Sequence, residues 1–268
     1  EVGGKDAERE MKLFTSGETR LNSAYGFDFL YASQLTPAVV VRALEQWPDA
    51  AGIGWPSWAF ENHDAPRALS RWCAPDQREA FARMKVMLLA ALRGNIIVYQ
   101  GEELGLTQVE IPFEQLQDPE AIANWPLTLA RDGARTPLPW QAQSEQGGFT
   151  ASSNPWLPLG EENMAKAVDR QDGDPASLLN LTRALLALRH QTAALRNGSC
   201  EVVLADEARL VLRRQSGSER VLAVFNISAV EAAWPHAIGS SGNPIFAVNG
   251  AEPGRLPPFG AVLIRENK

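Results

Sequence analysis

The sequence predicts an α/β chain that ends in an antiparallel β domain. Two observations carry this. Between residues 24 and 99, apolar runs of strand length alternate with helical patterns in the order strand, helix, strand, helix, strand. From Asn197 onward that periodicity stops, and short runs punctuated by Gly, Pro and Asn take over.

The elements follow in order. Glu1-Val2-Gly3-Gly4 reads as a strand end and a glycine turn, and Glu8 to Leu13 as a short helical turn. Ala24 to Tyr31 alternates and is expected to be a strand. Thr36 is placed as an N-cap with Pro37 at the first helical position, where its missing N–H costs nothing. Val39, Val40, Ala43 and Leu44 then share one helical face up to Trp47-Pro48. A second strand is expected over about 53–61. Asp76 with Glu79 reads as a capping-box variant. The helix behind it presents Phe81, Met84, Leu88, Leu89 and Leu92 to a core and stops at Gly94. Ile96-Ile97-Val98-Tyr99 is a continuous apolar run, and its lack of alternation predicts burial on both faces, as in a parallel sheet.

Residues 107–176 are rich in Pro, Trp, Asn and Gln with little periodicity, too long for an ordinary connection. They are expected to form a long insertion over the mouth of a barrel. Ser177 to His190 returns to an amphipathic helix with Leu178, Leu181, Leu185 and Leu188 on one stripe. Strands are expected at 201–204, 210–215, 220–227 and 261–264. The division expected is 1–192 for the α/β part and 193–268 for the antiparallel domain.

Composition excludes several function classes. The 268 residues are 45% hydrophobic and 21% charged, as in a soluble globular protein. A net charge of -7 argues against nucleic acid or an anionic membrane surface as partner. No apolar run approaches the ~20 residues of a membrane span, and the amino terminus lacks a basic, apolar signal layout. Cytoplasm is therefore the expected location, with any upstream signal invisible. Three histidines and two widely separated cysteines do not make a zinc framework, so no metal is expected and Cys73 and Cys200 read as reduced structural thiols. The chain opens without Met, which reads as a chain whose upstream part is absent.

Candidate chemistry concentrates in four segments. The run Trp58-Ala59-Phe60-Glu61-Asn62-His63-Asp64-Ala65-Pro66-Arg67 ends an apolar strand in an amide, an imidazole and a carboxylate. A fixed carboxylate with hydroxyl-binding neighbours suits an oxocarbenium-like transition state. The plain alternative is an Asp-His pair satisfied at a strand end. Tyr99-Gln100-Gly101-Glu102-Glu103-Leu104-Gly105 follows the next apolar run, and Glu102 and Glu103 are expected to tie down the loop rather than react. Ala130-Arg131-Asp132-Gly133-Ala134-Arg135-Thr136-Pro137-Leu138-Pro139-Trp140 carries two arginines, and Asn154-Pro155-Trp156-Leu157-Pro158 an aromatic between prolines.

Taken together these segments resemble the α-amylase superfamily, glycoside hydrolase family 13. Asn62-His63-Asp64 is similar to the motif after that family's seventh barrel strand, and residues 99–105 to the end of its eighth. The Arg-Asp-Gly-x-Arg-Thr-Pro-x-x-Trp pattern resembles the α-glucosidase and oligo-1,6-glucosidase branch. The fold implied is the C-terminal half of a (β/α)8 TIM barrel followed by an all-β antiparallel sandwich domain.

The resemblance implies a retaining α-glucosidase that releases terminal α-1,4-linked glucose from maltose and short α-glucosides, with transglucosylation as a side reaction and without any cofactor. Its partner would be a small oligosaccharide. Glu1 would be the general acid/base, although a terminal amine on the same residue would disturb that role. Asp64 and His63 would grip the reacting glucose. Arg131 and Arg135 would contact substrate or pair with the site's carboxylates. Trp156 would pack on a sugar face or anchor its loop. The family's Asp-x-x-x-x-His motif and its Gly-Phe-Arg-x-Asp nucleophile motif do not occur here. Retaining glycosidases need two carboxyl groups about 5–5.5 Å apart, so the isolated chain, lacking the N-terminal half of the barrel, is expected to be inactive. Oligo-1,6-glucosidase, sucrose hydrolase, sucrose isomerase and trehalose synthase remain alternatives, as does a non-catalytic sugar-binding or scaffold module.

Overall fold

The computed structural model describes residues 2, 6–47, 54–128, 130–239 and 242–266. The chain divides into two compact units. One contains residues 1–59, 79–97 and 184–268, the other residues 60–78 and 98–183.

The first unit holds both sheets. Its parallel sheet pairs β1 (Ala24–Tyr25) with β2 (Pro56–Ala59) and β2 with β3 (Asn95–Ile97). Trp58 lies opposite Ile96, and Ala59 opposite Ile97. Each strand lies beside the one before it, with helices in the connections and no reversal of order. That sequential order fits part of a (β/α) barrel.

Helix α1 (Ala7–Thr15) is longer than the turn expected, and Asp6 caps its start by accepting from Arg9 N. Helix α2 (Pro37–Glu45) starts as expected, with Thr36 Oγ1 accepting from Val39 N at 3.3 Å. Its buried positions are Pro37, Val40 and Ala43.

Three expectations are corrected here. The strand expected over 24–31 ends at Tyr25. Leu30 N donates to the Phe27 carbonyl in a turn, and the apparent alternation reflects Phe29 packing edge-on against Trp58, 5.5 Å between ring centres. Asp76 caps nothing by side chain. It sits within a 3-10 turn, Pro75–Gln77, that runs directly into α4. The run 96–99 is not buried on both faces: Asn95 and Ile97 are exposed, because β3 is the edge of this sheet among the described residues.

Helix α3 (Ala68–Trp72) belongs to the second unit, whereas α4 (Arg78–Ala91) lies in the first unit apart from its opening arginine. The buried side of α4 includes Phe81, Met84, Leu88 and Leu89. Its carboxyl end is met by two buried arginines. Arg189 Nη1 donates to the carbonyls of Ala90 at 2.6 Å and Leu92 at 3.0 Å, and Nη2 to that of Gly94 at 2.6 Å. Arg214 Nη1 donates to the Ala91 carbonyl at 2.7 Å. These bonds satisfy carbonyls that a helix end leaves orphaned. Gly94 has φ +137°, and a Cβ there would lie 2.7 Å from Trp58 Nε1.

Between α3 and Leu178, the described residues of the second unit form short helices, α5 (Pro119–Asn124), α6 (Glu161–Met164) and α7 (Val168–Asp172), joined by 3-10 turns and loops. Small apolar clusters hold it, among them Ile111, Leu116, Ala121 and Leu157. Helix α8 (Leu178–Gln191) begins in this unit and ends in the first. Its most buried side chains are Leu179, Thr182, Leu185 and Arg189, with Leu178, Leu181 and Leu188 only half buried. The short α9 (Ala193–Asn197) follows.

The antiparallel sheet has the order β4 (Ser199–Ala205), β5 (Arg209–Ser216), β6 (Glu219–Asn226), β8 (Ala261–Arg265), β7 (Asn243–Val248). Gly217, at φ +57°, closes the tight β5–β6 hairpin, the left-handed conformation such a turn needs. Strand β7 has no counterpart in the sequence reading. Its sequence, Pro-Ile-Phe-Ala-Val after Asn243, is apolar, but the proline marks it as an edge strand, and it lies at the edge of this sheet. One face of the sheet, with Val211, Leu222, Val224, Val262 and Ile264, packs on Ala232, Trp234, Ala251 and Leu256, where isolated bridges join Ala232 to Leu256 and Glu252 to Arg255. The second layer of the sandwich is therefore irregular. Among the described residues no helix is long and apolar enough to cross a membrane.

Candidate active site

The second unit gathers most of the expected site residues. Phe60 follows β2 in the chain, and its ring packs edge-on against Trp72 at 5.6 Å. Asn62, buried, then turns the backbone. Its Oδ1 accepts from Asp64 N at 2.9 Å and Ala65 N at 2.7 Å, an Asx turn that breaks the strand pattern. The turn leaves the next two side chains accessible, His63 at 60% and Asp64 at 31%.

Asp64 is the centre of a charged cluster. Its Oδ1 accepts from Arg135 Nη2 at 2.8 Å and from Arg131 Nη1 at 3.4 Å. His63 Nε2 lies 3.5 Å from Oδ2. Arg135 Nε also donates to the His63 carbonyl at 2.8 Å, so one guanidinium spans the Asx turn and the carboxylate it presents. Both arginines come from the 3-10 turn Arg131–Ala134 and the residue closing it. Their spacing of four brings them to one side.

That turn is fixed from below by two buried acids. Asp132 Oδ2 accepts from the backbone N–H groups of Gln117 at 2.7 Å and Asp118 at 2.8 Å. Asp118 takes Arg131 in a two-point pair, Nε to Oδ2 at 2.8 Å and Nη2 to Oδ1 at 2.6 Å. It also accepts from the backbone of Arg131 and Glu120. The hydrogen bonds from the Arg131 guanidinium hold the Asp118 carboxyl well below the usual carboxylate range, and the same bonds raise Arg131.

A third arginine knits the loops together. Arg67 Nη1 donates to Glu61 Oε2 at 3.1 Å and to the Gln100 carbonyl at 2.7 Å, and Nη2 to the Ala134 carbonyl at 3.1 Å. Its guanidinium lies over the Tyr99 ring, 4.6 Å from the centroid. Tyr99 Oη donates to the same Ala134 carbonyl at 3.1 Å. Burial raises the Tyr99 phenol, against the lowering effect of Arg67 and Arg135. Glu102 Oε2 accepts from Tyr99 N, and Glu103 Oε2 from Gly101 N, so both brace this turn. Burial also raises the Glu103 carboxyl.

Of the residues expected in the site, His63, Asp64, Arg131 and Arg135 thus come together. Trp156 is not in this cluster. It is 62% exposed and lines a separate cleft of about 550 Å³ with Gln115, Gln117, Asn154 and Pro158. Glu1 lies outside the described residues. The sequence reading gave no role to Arg67 or Asp118. Asp118-Pro119 carries an N-cap signal, which marks the helix start but not the pairing with Arg131.

Residues 10–198 match the family model described as alpha amylase, catalytic domain. The chain is 41% identical over 232 residues to a probable alpha-glucosidase of Rhizobium meliloti, covering 85% of this chain and 41% of that protein. It is 29% identical over 275 residues to a probable oligo-1,6-glucosidase of Bacillus subtilis, covering 90% and 49%. The chain thus spans less than half the length of either relative. Among solved structures it resembles the alpha-glucosyl transfer enzyme XgtA at 37% identity and a TM-score of 0.88, covering 99% of this chain and 50% of that one. It also resembles the trehalulose synthase MutB of Pseudomonas mesoacidophila at 25% identity and a TM-score of 0.84, covering 96% and 53%. With these matches the parallel strands and their helices are the C-terminal half of a (β/α)8 barrel, followed by the antiparallel β domain.

Proposed function

The chain belongs to the α-amylase family, and from that premise we propose that it carries the glucose-gripping side of a retaining α-glucosidase. The full-length protein would release terminal glucose from maltose and short α-1,4-glucosides. The observation that carries this reading is Asp64, an accessible carboxylate held by Arg135 at 2.8 Å and Arg131 at 3.4 Å beside the His63 imidazole. A carboxylate whose position is set before substrate arrives stabilises an oxocarbenium-like charge without reorganising during the reaction. In this reading Asp64 faces the reacting ring, and His63 donates to one of its hydroxyls. Arg131 and Arg135 frame the entrance, and Trp156 meets the sugars beyond it.

Glu1 is the proposed general acid/base, protonating the leaving oxygen and then activating water. The nucleophile that forms the glucosyl-enzyme comes from outside residues 1–268, since the Gly-Phe-Arg-x-Asp motif does not occur within them. No cofactor takes part in this chemistry. Residues 1–268 alone are accordingly proposed to lack turnover. The names of the relatives, alpha-glucosidase and oligo-1,6-glucosidase, support a glucosidase and leave α-1,4 and α-1,6 bonds as the competing specificities.

A second reading, glucosyl transfer onto an alcohol or sugar acceptor, draws support from the likeness to an alpha-glucosyl transfer enzyme over 99% of the chain. One experiment tests both. The full-length protein is assayed on p-nitrophenyl α-glucoside, maltose and isomaltose, with and without added acceptor, beside Asp64→Asn. Hydrolysis that falls about 100-fold or more in the variant supports the glucosidase. New glucosides in place of free glucose favour transfer. Undiminished turnover in Asp64→Asn overturns the placement of Asp64 at the reacting ring.

A further inference from the structure

We propose that Asp118 is a positioning residue for the sugar site, acting on Asp64 through Arg131. The inference rests on the reading that Asp64 faces substrate. It starts from an asymmetry between the two arginines on that carboxylate. Arg135 reaches Asp64 with one nitrogen and the His63 carbonyl with another. Arg131 spends Nε and Nη2 on Asp118 and has Nη1 left for Asp64, at 3.4 Å. A guanidinium is planar, so two-point attachment to one carboxylate fixes the direction of its third nitrogen. Asp118 thereby aims Arg131.

Asp118 is itself placed to hold a direction. It is 1% exposed, and three backbone or side-chain neighbours beyond the Arg131 fork constrain it. Its Oδ2 accepts from Arg131 N at 3.1 Å, its Oδ1 from Glu120 N at 3.2 Å, and its own N–H is taken by Asp132. The pair leaves no net charge at Arg131, so Arg135 and Arg131 together do not overwhelm Asp64 with positive charge. What Asp118 supplies is orientation: a fixed donor to Asp64 Oδ1, the oxygen that Arg135 also takes, which leaves Oδ2 toward His63.

Asp118→Asn separates this role from simple helix capping. Asparagine caps a helix as well as aspartate does, and it retains the shape and the Oδ1 acceptor. It loses the charge and the fork. The test is a double-mutant cycle on kcat/KM for p-nitrophenyl α-glucoside in the full-length protein, with Asp118→Asn, Arg131→Ala and the pair combined. The expected result is a fall of roughly 10-fold in Asp118→Asn alone, carried by kcat, and less than about 2-fold when Arg131 is already alanine. An equal fall in both backgrounds means that Asp118 acts through the fold in general, and overturns the proposal, as does no fall in either.

Arg131→Lys serves where Asp118→Asn does not fold. It keeps a cation beside both acids but cannot make the two-point fork. Loss of activity approaching that of Arg131→Ala supports the aiming role, and wild-type kcat/KM overturns it. Asp64→Asn, run alongside, separates the two levels. If it leaves activity intact, the reading of the site fails, whatever the cycle gives.

Discussion

Arg67 Nη1 lies 3.1 Å from Glu61 Oε2, and the two side chains are only 2% and 1% exposed. Two charges so far from water lose their hydration, and the pair alone would barely repay that loss. Arg67 has further partners in the Gln100 and Ala134 carbonyls and the Tyr99 ring. It thereby ties together the backbone after β2, the turn at 99–105 and the loop that carries Arg131 and Arg135. Its burial suits a structural strut better than a group that meets substrate.

Replacing Arg67 with alanine should therefore cost about 3–5 kcal/mol, because the buried Glu61 carboxylate keeps Ala68 N but loses this guanidinium, and the Gln100 and Ala134 carbonyls lose a donor. Arg67→Lys keeps the charge but not the planar fork, and should recover less than half of that. Urea denaturation of both variants checks this. A loss under about 1 kcal/mol in Arg67→Ala would remove the strut from the argument.

Asp118 gives a pH dependence of known sign. Its folded-state pKa is depressed by Arg131. A depressed carboxylate adds stability that is fully present above its unfolded pKa of about 3.9 and is lost as pH falls through the folded value. The wild-type protein should lose this increment only below about pH 4. Asp118→Asn should be less stable at pH 7 by about 1–3 kcal/mol, with the gap narrowing toward pH 2. Denaturation midpoints measured from pH 7 to 2 report it.

Arg189→Ala should strip the donors from three carbonyls at and beyond the end of α4, those of Ala90, Leu92 and Gly94. Buried carbonyls without partners make this costly, roughly 3 kcal/mol in all. Hydrogen exchange would register faster opening of the last turn of α4. Unchanged protection there would show that Arg214 and water take over.

Gly94→Ala should fail for two separate reasons. The backbone sits at φ +137°, and the new Cβ would lie 2.7 Å from Trp58 Nε1 and 2.8 Å from the Pro56 carbonyl oxygen. Trp58 Nε1 already donates to the Arg93 carbonyl at 2.6 Å, so the ring cannot move away without breaking that bond. A loss of about 2–4 kcal/mol and a changed tryptophan near-UV signal are expected. A variant as stable as wild type would mean that the β2–β3 region yields easily.

The parts of the fold and site that were legible in sequence are local ones. Thr36-Pro37 marked the start of α2, since a cap acts on an N–H three residues away. The apolar run into Asn62-His63-Asp64 marked a strand delivering polar groups, and the resemblance of residues 131–140 marked Arg131 and Arg135 for substrate or for the site's carboxylates, which the structure places on one short turn. Where local pattern misled, a tertiary fact was responsible. Within residues 1–268, which span half of the barrel, β3 has a neighbour on one edge only, so Ile97 is exposed although the apolar run 96–99 reads as doubly buried. Strand β7 was passed over although Pro244 to Val248 is an apolar run: Pro244 speaks against a strand interior, and only the pairing with β8 shows that it is an edge strand.

By itself, then, the sequence determined the element order, the family resemblance and the residue types available for sugar chemistry. Only the tertiary structure decided which of them meet: that Asp64 takes both Arg131 and Arg135, that Arg131 belongs first to Asp118, and that Arg67 is a buried strut. The reason is physical. Caps and periodicities arise among residues a few positions apart, so spacing encodes them. The arginine ion pairs of Asp64 and Asp118 join residues 13 to 71 positions apart, and 25 Lys and Arg among 32 Asp and Glu allow far too many pairings. The folded backbone selects among them, by bringing a few charges close and taking them out of water.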